Sequence, residues 1–206
     1  MPNNADRYDA IIIGAGAAGL MCAAIAGQRG RRVLLIDHAD KPGKKILISG
    51  GGRCNFPNIH TTPECFLSGT PHFAKSALGR YRIAWHEKTL GQLFCDGSAK
   101  QIVAMLLDEC AKGQVDLHLS ERAANIQQAN GCFTVNLSDD AVNAESVVIA
   151  TGGPSIPKMG ATGFAYEIGQ QFGLEIVPPR PALVPLTLGD AEADLKELRG
   201  VSSDVV

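Results

Sequence analysis

Aromatic residues and charge of one sign are both scarce in this 206-residue chain. Phe, Trp and Tyr make up 5% of the sequence, and 19 Lys and Arg residues face 21 Asp and Glu residues, giving a formal net charge of -2. The chain therefore lacks the basic excess that is typical of nucleic-acid-binding proteins. No apolar run approaches the roughly 20 residues that a transmembrane helix needs. These absences predict a globular protein with no nucleic-acid partner and no membrane contact.

Paired cysteines and a targeting segment are also missing. The six cysteines are irregularly spaced and include no C-x-x-C pair, so we expect free thiols and neither a disulfide framework nor a metal site. The first seven residues lack the basic and then apolar layout of a signal peptide. The sequence therefore predicts a cytoplasmic protein. It gives no indication of the oligomeric state.

Glycine, in contrast, is abundant, and its 23 residues are concentrated in a few segments. Residues 14–19 read Gly-Ala-Gly-Ala-Ala-Gly and lie between a predicted apolar strand over 8–13 and a predicted helix that begins at Ala17. A second apolar strand, over 33–36, ends at Asp37. This G-x-G-x-x-G arrangement, with a carboxylate about 20 residues further on, is typical of a Rossmann dinucleotide-binding unit.

Each part of this motif has a mechanical role. Gly14 permits the tight turn from strand to helix, Gly16 lets a pyrophosphate approach the backbone, and Gly19 lets the helix lie close to the sheet. We expect the pyrophosphate at the helix N-terminus, where unpaired N–H groups favour an anion. The carboxylate of Asp37 is expected to hold ribose hydroxyl groups and to repel a 2′-phosphate. The motif alone leaves NAD and FAD open.

The remaining pattern predicts further elements of an α/β domain. A helical face runs over 99–110, a buried strand over 146–150 leads into Thr151-Gly152-Gly153, and a short helix follows at 164–172. Between them, three short strands suggest a small antiparallel insertion, at 115–119, 123–127 and 132–137. The Ala-Thr-Gly end of the buried strand resembles flavoproteins whose sheet returns to the FAD at such a turn. The long glycine-rich region over 38–81 is expected to be rich in loops.

Several segments resemble the BaiN/YhiN-like NAD(P)/FAD-dependent oxidoreductases, which are glutathione-reductase-like flavoproteins. The segments that carry the resemblance are 44–58, 67–73, 91–94, 150–163 and 178–186. The resemblance implies a Rossmann-like FAD-binding domain over 1–180, with a small antiparallel β insertion, and the start of a β-rich substrate domain over 181–206.

Members of that family are considerably longer than this chain, and two of their features are missing here. They return after the second domain to complete the FAD domain. They also carry an additional helix where Tyr81 here runs directly into Arg82. The sequence is therefore expected to represent an incomplete flavoprotein.

The resemblance and the motifs together imply an FAD-dependent oxidoreductase, with NAD(P)H as a transient reductant and a small organic molecule as the substrate. Two alternatives remain: a non-catalytic or RNA-modification-associated flavin- or nucleotide-binding module, and an NAD-dependent dehydrogenase with a single Rossmann domain. The residues expected to bind the cofactor are Gly14, Gly16, Ala17, Ala18, Gly19, Asp37, His38, Lys44, Lys45, Gly50, Gly51, Gly52, Arg53, Cys54, Asn55, Ala123, Ala124, Ala150, Thr151, Gly152, Gly153 and Gly163.

No catalytic residue is assigned from the sequence. Cys54 is expected to be a small buried thiol because no other cysteine is spaced to form a redox pair with it. His72 and His86 lack an identified partner and are expected to be structural. The family resemblance places Lys158 and Thr162 near the flavin. The acidic pairs 108–109 and 139–140 are expected on solvated faces or turns.

Overall fold

The computed structural model describes residues 7–60, 79–182 and 189. Contacts divide the chain into one compact unit over residues 1–174 and a second over 175–206, in which the described residues form no helix or strand. His72 and the strand expected after residue 181 lie outside the described residues. The domain boundary at residue 180 therefore stays a prediction.

The first unit alternates strands and helices in the manner of an α/β domain, and 3-10 turns occupy Ser49–Gly52, Thr89–Gly91 and Pro157–Met159. The predicted βαβ unit and both later helices are confirmed, with bounds within a few residues of the expected ones. In chain order the described helices and strands are β1 (Arg7–Ile13), α1 (Ala17–Gln28), β2 (Val33–Asp37), α2 (Lys44–Ile48), β3 (Asn55–Asn58), β4 (Trp85–Glu87), β5 (Gln92–Cys95), α3 (Lys100–Lys112), β6 (Asp116–Leu119), β7 (Asn125–Ala129), β8 (Cys132–Asn136), β9 (Ala141–Ile149) and α4 (Phe164–Gln171).

A six-stranded sheet with the order β6-β2-β1-β9-β8-β7 forms the centre of this unit. Strand β9 is nine residues long and belongs to two ladders. Its first residues pair antiparallel with β8, with Ala144 opposite Phe133, and its later residues pair parallel with β1, with Val147 opposite Ile11. The predicted strand at 146–150 covers only the later part of the parallel ladder, which begins at Asn143, because the preceding residues lack the apolar run of a buried strand.

The prediction that residues 115–119 belong to the antiparallel insertion is wrong. Strand β6 pairs parallel with β2, with Leu117 opposite Leu35, and forms an edge of the large sheet. Helix α3 carries the chain back along the sheet, so the strand that follows enters in the direction of β2. Exposure alternates along β6 as it does in a half-buried antiparallel strand, which explains the error.

Apolar side chains cover both faces of the central strands. On one face, Ile12 and Leu35 are fully buried together with Leu20 of α1 and with residues of α3. On the other face, Ile11 and Leu34 are buried with residues of β7, β8 and α4. Each such side chain contributes about 1.5–3 kcal/mol when it is fully buried. The central strands are therefore the rigid frame on which the loops at their ends are held.

Glu109 corrects the expectation that residues 108–109 form a solvated face, because Glu109 is only 9% exposed. Its carboxylate accepts a hydrogen bond of 2.8 Å from the Gln28 amide and one of 2.7 Å from the Tyr81 hydroxyl, and Lys112 lies 3.2 Å away. The hydrogen bonds from Gln28 and Tyr81, with that of Lys112, lower the pKa of Glu109 to about 2. This carboxylate thus joins the end of α1 to α3.

A separate antiparallel sheet with the order β3-β5-β4 lies outside the large sheet. Strand β4 pairs with β5, so that Trp85 lies opposite Cys95 and Glu87 opposite Leu93. Within the described part of the loop-rich region over 38–81, α2 and β3 are two short elements that the sequence did not predict. Strands of three or four residues, one with an internal proline, are too short to give a readable alternation in sequence.

Candidate functional site

A cavity of about 500 Å³ opens at the carboxyl ends of β1, β2 and β9. The loops that leave these three parallel strands line it, together with α2 and the start of α4. Ligands of open α/β sheets bind in the crevice at this edge, and the helix that follows β1 begins there. The fold therefore brings the glycine-rich turn, Asp37 and the segment after β9 into one site.

Two glycines of the motif are required by close packing. Gly14 has a φ of +111°, and a Cβ atom there would lie 2.5 Å from the carbonyl oxygen of Ala150. A Cβ atom at Gly19 would lie 1.8 Å from the carbonyl oxygen of Gly14. Both distances are far below any real contact of a Cβ atom. These glycines let β9 approach the turn and let α1 lie against it, as the motif predicts.

Gly16 differs from both, since a Cβ atom there would meet no heavy atom within 4 Å. Its φ of -83° is ordinary, so its backbone does not require glycine, and the residue lines the cavity. Gly16 is also the N-cap of α1, which has neither a side-chain cap nor an acidic residue in its first turn. The first N–H groups of a helix have no intrahelical partner, and they favour an anion. This open cradle fits a pyrophosphate.

Asp37, the last residue of β2, holds the glycine-rich turn in place. Its Oδ2 accepts the backbone N–H of Ala15 at 2.6 Å, and its Oδ1 accepts that of Ala39 at 2.8 Å. The side chain lines the cavity and is 14% exposed. The sequence did not predict that Asp37 holds these backbone segments together. Oδ1 also lies 3.5 Å from Nδ1 of His38, whereas Oδ2 keeps a second lone pair. The proposed contact with a ribose hydroxyl stays a prediction.

Thr151 follows β9 and lines the same cavity. Its hydroxyl oxygen is buried and has no hydrogen-bond partner among the described residues. Leaving a buried polar group unpaired costs about 1–3 kcal/mol. A hydroxyl, phosphate or ring carbonyl of a ligand would restore that bond. Together with the open cradle at Gly16, this unpaired hydroxyl fits a dinucleotide.

Positive charge predominates at the rim, where three lysines and one arginine face two carboxylates. Lys44 pairs with Asp40 at 2.8 Å, and the hydrogen bond lowers the pKa of that carboxyl. The Lys45 amine donates to the Gly153 carbonyl at 3.1 Å and to the Ser155 hydroxyl at 3.3 Å. Lys45 therefore ties α2 to the loop after β9, a role that the sequence did not show.

The structure brings most of the predicted cofactor residues together at this cavity, and some lie elsewhere. Gly50 packs on the small sheet, where its Cβ atom would lie 2.5 Å from the Phe94 ring. Predicted residues that line the cavity are Gly14, Gly16, Ala17, Ala18, Asp37, His38, Lys44, Lys45, Cys54, Asn55, Ala123, Ala150, Thr151 and Gly152. Predicted residues outside the lining are Gly19, Gly50, Gly51, Gly52, Arg53, Ala124, Gly153 and Gly163.

The loop over 157–163 supplies lining residues that sequence patterns did not identify. Gly160 lies directly against His38, because a Cβ atom there would sit 2.5 Å from Nε2 of that histidine. Thr162 lines the cavity, as the family resemblance suggested, and Lys158 does not. The lining residues missed from the sequence are Ile13, Ala15, Ala39, Lys41, Gly43, Ile46, Ser49, Glu121, Arg122, Met159, Gly160, Ala161 and Phe164.

The two other described candidates for catalysis, Cys54 and His86, lie in different places. Cys54 is 8% exposed, lines the cavity and has a φ of +54°. His86 lies on β4 and pairs with Asp96, with 2.6 Å between Nδ1 and Oδ1.

Within the described residues, no three His, Cys, Asp or Glu side chains are grouped to hold a metal ion. No helix in that part of the chain is long and apolar enough to cross a membrane.

The parallel sheet, the glycine turn at its edge and the uncapped helix define a Rossmann-type dinucleotide-binding domain, which confirms the predicted fold class. The chain belongs to the HI0933-like protein Rossmann domain family, which matches residues 8–203.

Two relatives share much of this chain. It is 55% identical over 195 residues to "Ribosomal RNA dihydrouridine synthase" of Escherichia coli (strain K12), covering 89% of this chain and 49% of that protein. The protein of the same name from Haemophilus influenzae (strain ATCC 51907 / DSM 11121 / KW20 / Rd) is 43% identical over 95% of this chain and 53% of its own length. The chain thus spans about half the length of the curated relatives it matches.

More distant proteins share less sequence. "3-Dehydro-bile acid delta(4,6)-reductase" of Clostridium scindens (strain ATCC 35704 / DSM 5676 / VPI 13733 / 19) is 27% identical over 85% of this chain and 46% of that protein. Among solved structures, THI4 of Thermovibrio ammonificans gives a TM-score of 0.57 at 14% identity, covering 81% of this chain and 62% of that one. The Diels-Alderase PyrE3 gives 0.53 at 19% identity, over 74% and 34%. These structural likenesses show the fold.

The expectation of a small organic substrate and no nucleic-acid partner is contradicted by the two relatives named for ribosomal RNA. The net charge of -2 was a poor predictor of a nucleic-acid partner because it is a sum over the whole chain. A local basic region is cancelled in that sum by acidic residues elsewhere.

Proposed function

We propose that this chain binds FAD and belongs to a flavin-dependent reductase that converts uridine to dihydrouridine in ribosomal RNA. The observation that carries the proposal is the 55% identity over 195 residues to a protein named for that reaction. The geometry of the cavity supports the cofactor. This proposal takes up the RNA-modification alternative left open by the sequence analysis and makes the module part of an enzyme.

The residues of the cavity have separate tasks in holding FAD. Gly16 leaves room for the pyrophosphate, and the first N–H groups of α1 offset its charge. Asp37 keeps the glycine turn in place and offers its remaining lone pairs to the adenosine ribose. The unpaired Thr151 hydroxyl donates a hydrogen bond to the cofactor, and Lys45 holds the loop after β9 in place. Once reduced by NAD(P)H, bound FAD would supply the hydride that a C=C reduction needs.

The reaction class follows from the chemistry of uracil. Its C5–C6 double bond is conjugated with the C4 carbonyl, so hydride adds at C6 and a proton at C5. With NAD(P)H as the reductant, uridine, NAD(P)H and one proton give dihydrouridine and NAD(P)⁺. The distant relative named a delta(4,6)-reductase of a 3-dehydro bile acid also acts, by its name, on double bonds near a ketone. Reduction of an activated double bond is therefore the chemistry that these names share.

The test measures dihydrouridine in ribosomal RNA by mass spectrometry of digested nucleosides. We expect the modification to disappear when the natural host lacks this protein and to return with the protein expressed from its natural reading frame. An unchanged dihydrouridine level without the protein would contradict the proposed reaction. The cofactor released from the purified protein by heat should migrate as FAD in chromatography, and recovery of FMN alone would contradict the proposed cofactor.

A further inference from the structure

The loop that follows β9 reaches across the carboxyl end of the large sheet. In that sheet β1 lies between β2 and β9, so β2 and β9 are two strand spacings, or about 10 Å, apart. Gly160 of the loop nevertheless packs against His38, the first residue after β2. The loop over 153–163, which we call the β9–α4 strap, therefore bridges the end of β1, where the glycine-rich turn begins.

Two contacts hold the β9–α4 strap to the far side of the cavity. Near the start of the strap, the Lys45 amine of α2 donates to the Gly153 carbonyl at 3.1 Å and to the Ser155 hydroxyl at 3.3 Å. Further along, a Cβ atom at Gly160 would lie 2.5 Å from Nε2 of His38, so the histidine ring touches the strap backbone. Both contacts join protein atoms only, so weakening either one should loosen the strap with or without a cofactor.

The backbone between these two contacts is strained. Ile156 has a φ of +60°, a left-handed conformation that is an outlier for a β-branched residue. Burial does not hold it there, since the Ile156 side chain is 46% exposed. A strained residue persists only where the surrounding structure fixes it. The contacts at Lys45 and His38 therefore hold the strap against a backbone that favours another conformation.

The β9–α4 strap also forms part of the wall of the cavity. Its residues 159–162 line the cavity, and so do residues 14–18 of the glycine-rich turn. A Cβ atom at Gly16 would meet no atom of the described residues within 4 Å, so the space beside the turn is open. A dinucleotide with its pyrophosphate at Gly16 would therefore lie between the edge of the sheet and the strap.

We propose that the β9–α4 strap is a gate that closes over FAD, and that Lys45 and His38 are positioning residues that control how fast FAD enters and leaves. The strap must move before FAD can pass, because it bridges the end of β1 beside the Gly16 cradle. Opening breaks the contacts of Lys45 and His38 and releases the strain at Ile156. The inference rests on the FAD site of the proposed function and adds to it a gate formed by residues of this chain.

The first test measures the association and the release of FAD separately, by stopped-flow flavin absorbance and by flavin retention after rapid gel filtration. Lys45→Met removes hydrogen bonds that are each worth a net factor of about 2 to 10. The gate should then be open more often, so both rates should rise by roughly 3- to 10-fold while the dissociation constant changes little. Lys45→Arg keeps a donor at this position and should restore rates close to those of the wild type.

A matched control and a second variant complete this test. Lys158 is an exposed lysine of the same strap that does not line the cavity, so Lys158→Met should leave both rates unchanged. His38→Ala removes the ring that packs against Gly160 and should raise both rates, as Lys45→Met does. A residue that only contacts FAD would raise the release rate without raising the association rate. The two rates therefore separate a gate from a direct contact.

A second measurement follows the strap itself by hydrogen–deuterium exchange and mass spectrometry. Within the strap, the Gly160 N–H donates to the Pro157 carbonyl at 2.9 Å, so opening should expose it to exchange. Exchange over 153–163 should be faster in Lys45→Met than in the wild type and in Lys158→Met, and it should be unchanged in the central strands. Faster exchange throughout the chain would contradict the gate, because Lys45 would then stabilise the whole fold.

The outcomes separate the gate from the proposed function. If Lys45→Met releases FAD faster and binds it no faster, Lys45 holds the cofactor and the gate is wrong. If neither rate changes, the strap does not lie on the path of FAD, and the gate is again wrong. A wild-type protein that holds FAD and does not restore dihydrouridine contradicts the proposed reaction, and the two rates still decide the role of the strap. A wild-type protein that binds no FAD contradicts both proposals.

Discussion

The two sheets of this molecule are held together in different ways. In the large sheet the central strands are buried, and the site at their ends is made chiefly of backbone, glycines and a bracing carboxylate. In the small sheet the strands are short, and ring contacts such as that between Trp85 and Phe56 connect them. The proposed cofactor site therefore depends on where the backbone can go, and the small sheet depends on contacts between side chains.

The largest expected effect is at Gly19. A Cβ atom there would lie 1.8 Å from the Gly14 carbonyl oxygen, which is backbone and cannot move without displacing β1. We expect Gly19→Ala to lower the free energy of unfolding by roughly 3 kcal/mol, the upper part of the range for overpacked sites. Chemical denaturation measures the change. Gly79→Ala is the control, because its Cβ atom would meet no atom of the described residues within 4 Å, and equal stabilities of the two variants would contradict the packing role.

Gly16 should separate cofactor binding from folding. Its Cβ atom would face open space, so Gly16→Val should fold normally and lose bound FAD because the side chain fills the proposed pyrophosphate position. The ratio of flavin to protein absorbance and the thermal unfolding of the apoprotein give the two readouts. Gly79→Val places the same side chain in open space elsewhere and should keep its flavin. A Gly16→Val protein with full flavin occupancy would place the phosphate elsewhere.

Acid should weaken the contact between α1 and α3, because it protonates the Glu109 carboxylate. The pKa of this carboxyl is lowered from 4.5 to about 2 in the folded protein, first by the hydrogen bond from Gln28 and then by that from Tyr81. The unfolded chain therefore binds a proton that the folded chain does not, and stability falls as the pH drops from about 4.5 to about 2.

Denaturation curves across this pH range test the role of Glu109. The difference in free energy of unfolding between wild type and Glu109→Gln should have its full size above pH 5 and should become smaller towards pH 2. Asp139→Asn changes an exposed carboxylate in the turn between β8 and β9, so its curve should follow the wild type. A gap for Glu109→Gln that does not change with pH would show that the carboxylate charge has no part in it.

The same contrast between the sheets decides how much could be predicted from the sequence. The βαβ unit and the cavity residues Gly14, Gly16 and Asp37 follow from local signals: an apolar run, a glycine spacing and a carboxylate at a strand end. The small sheet depends on pairing between β3 and β5, which lie far apart in the chain, and strands of this length leave no periodic pattern. The lining residues Met159, Gly160 and Ala161 were missed for a related reason, since the place of their loop is set by packing of Gly160 on His38.

The smallest expected effect tests whether the turn of the small sheet that carries Leu90 is strained. Leu90 has a positive φ and is 82% exposed, so Leu90→Gly removes the steric cost of about 1–2 kcal/mol and loses little burial. Glycine adds conformational entropy to the unfolded chain, which offsets roughly 0.5–1 kcal/mol. The variant should therefore be more stable by about 0.5 kcal/mol. Leu90→Ala keeps the strained Cβ atom and should show no gain in thermal unfolding. A Leu90→Gly protein that is less stable than wild type would mean that contacts of the Leu90 side chain outweigh the strain of its backbone.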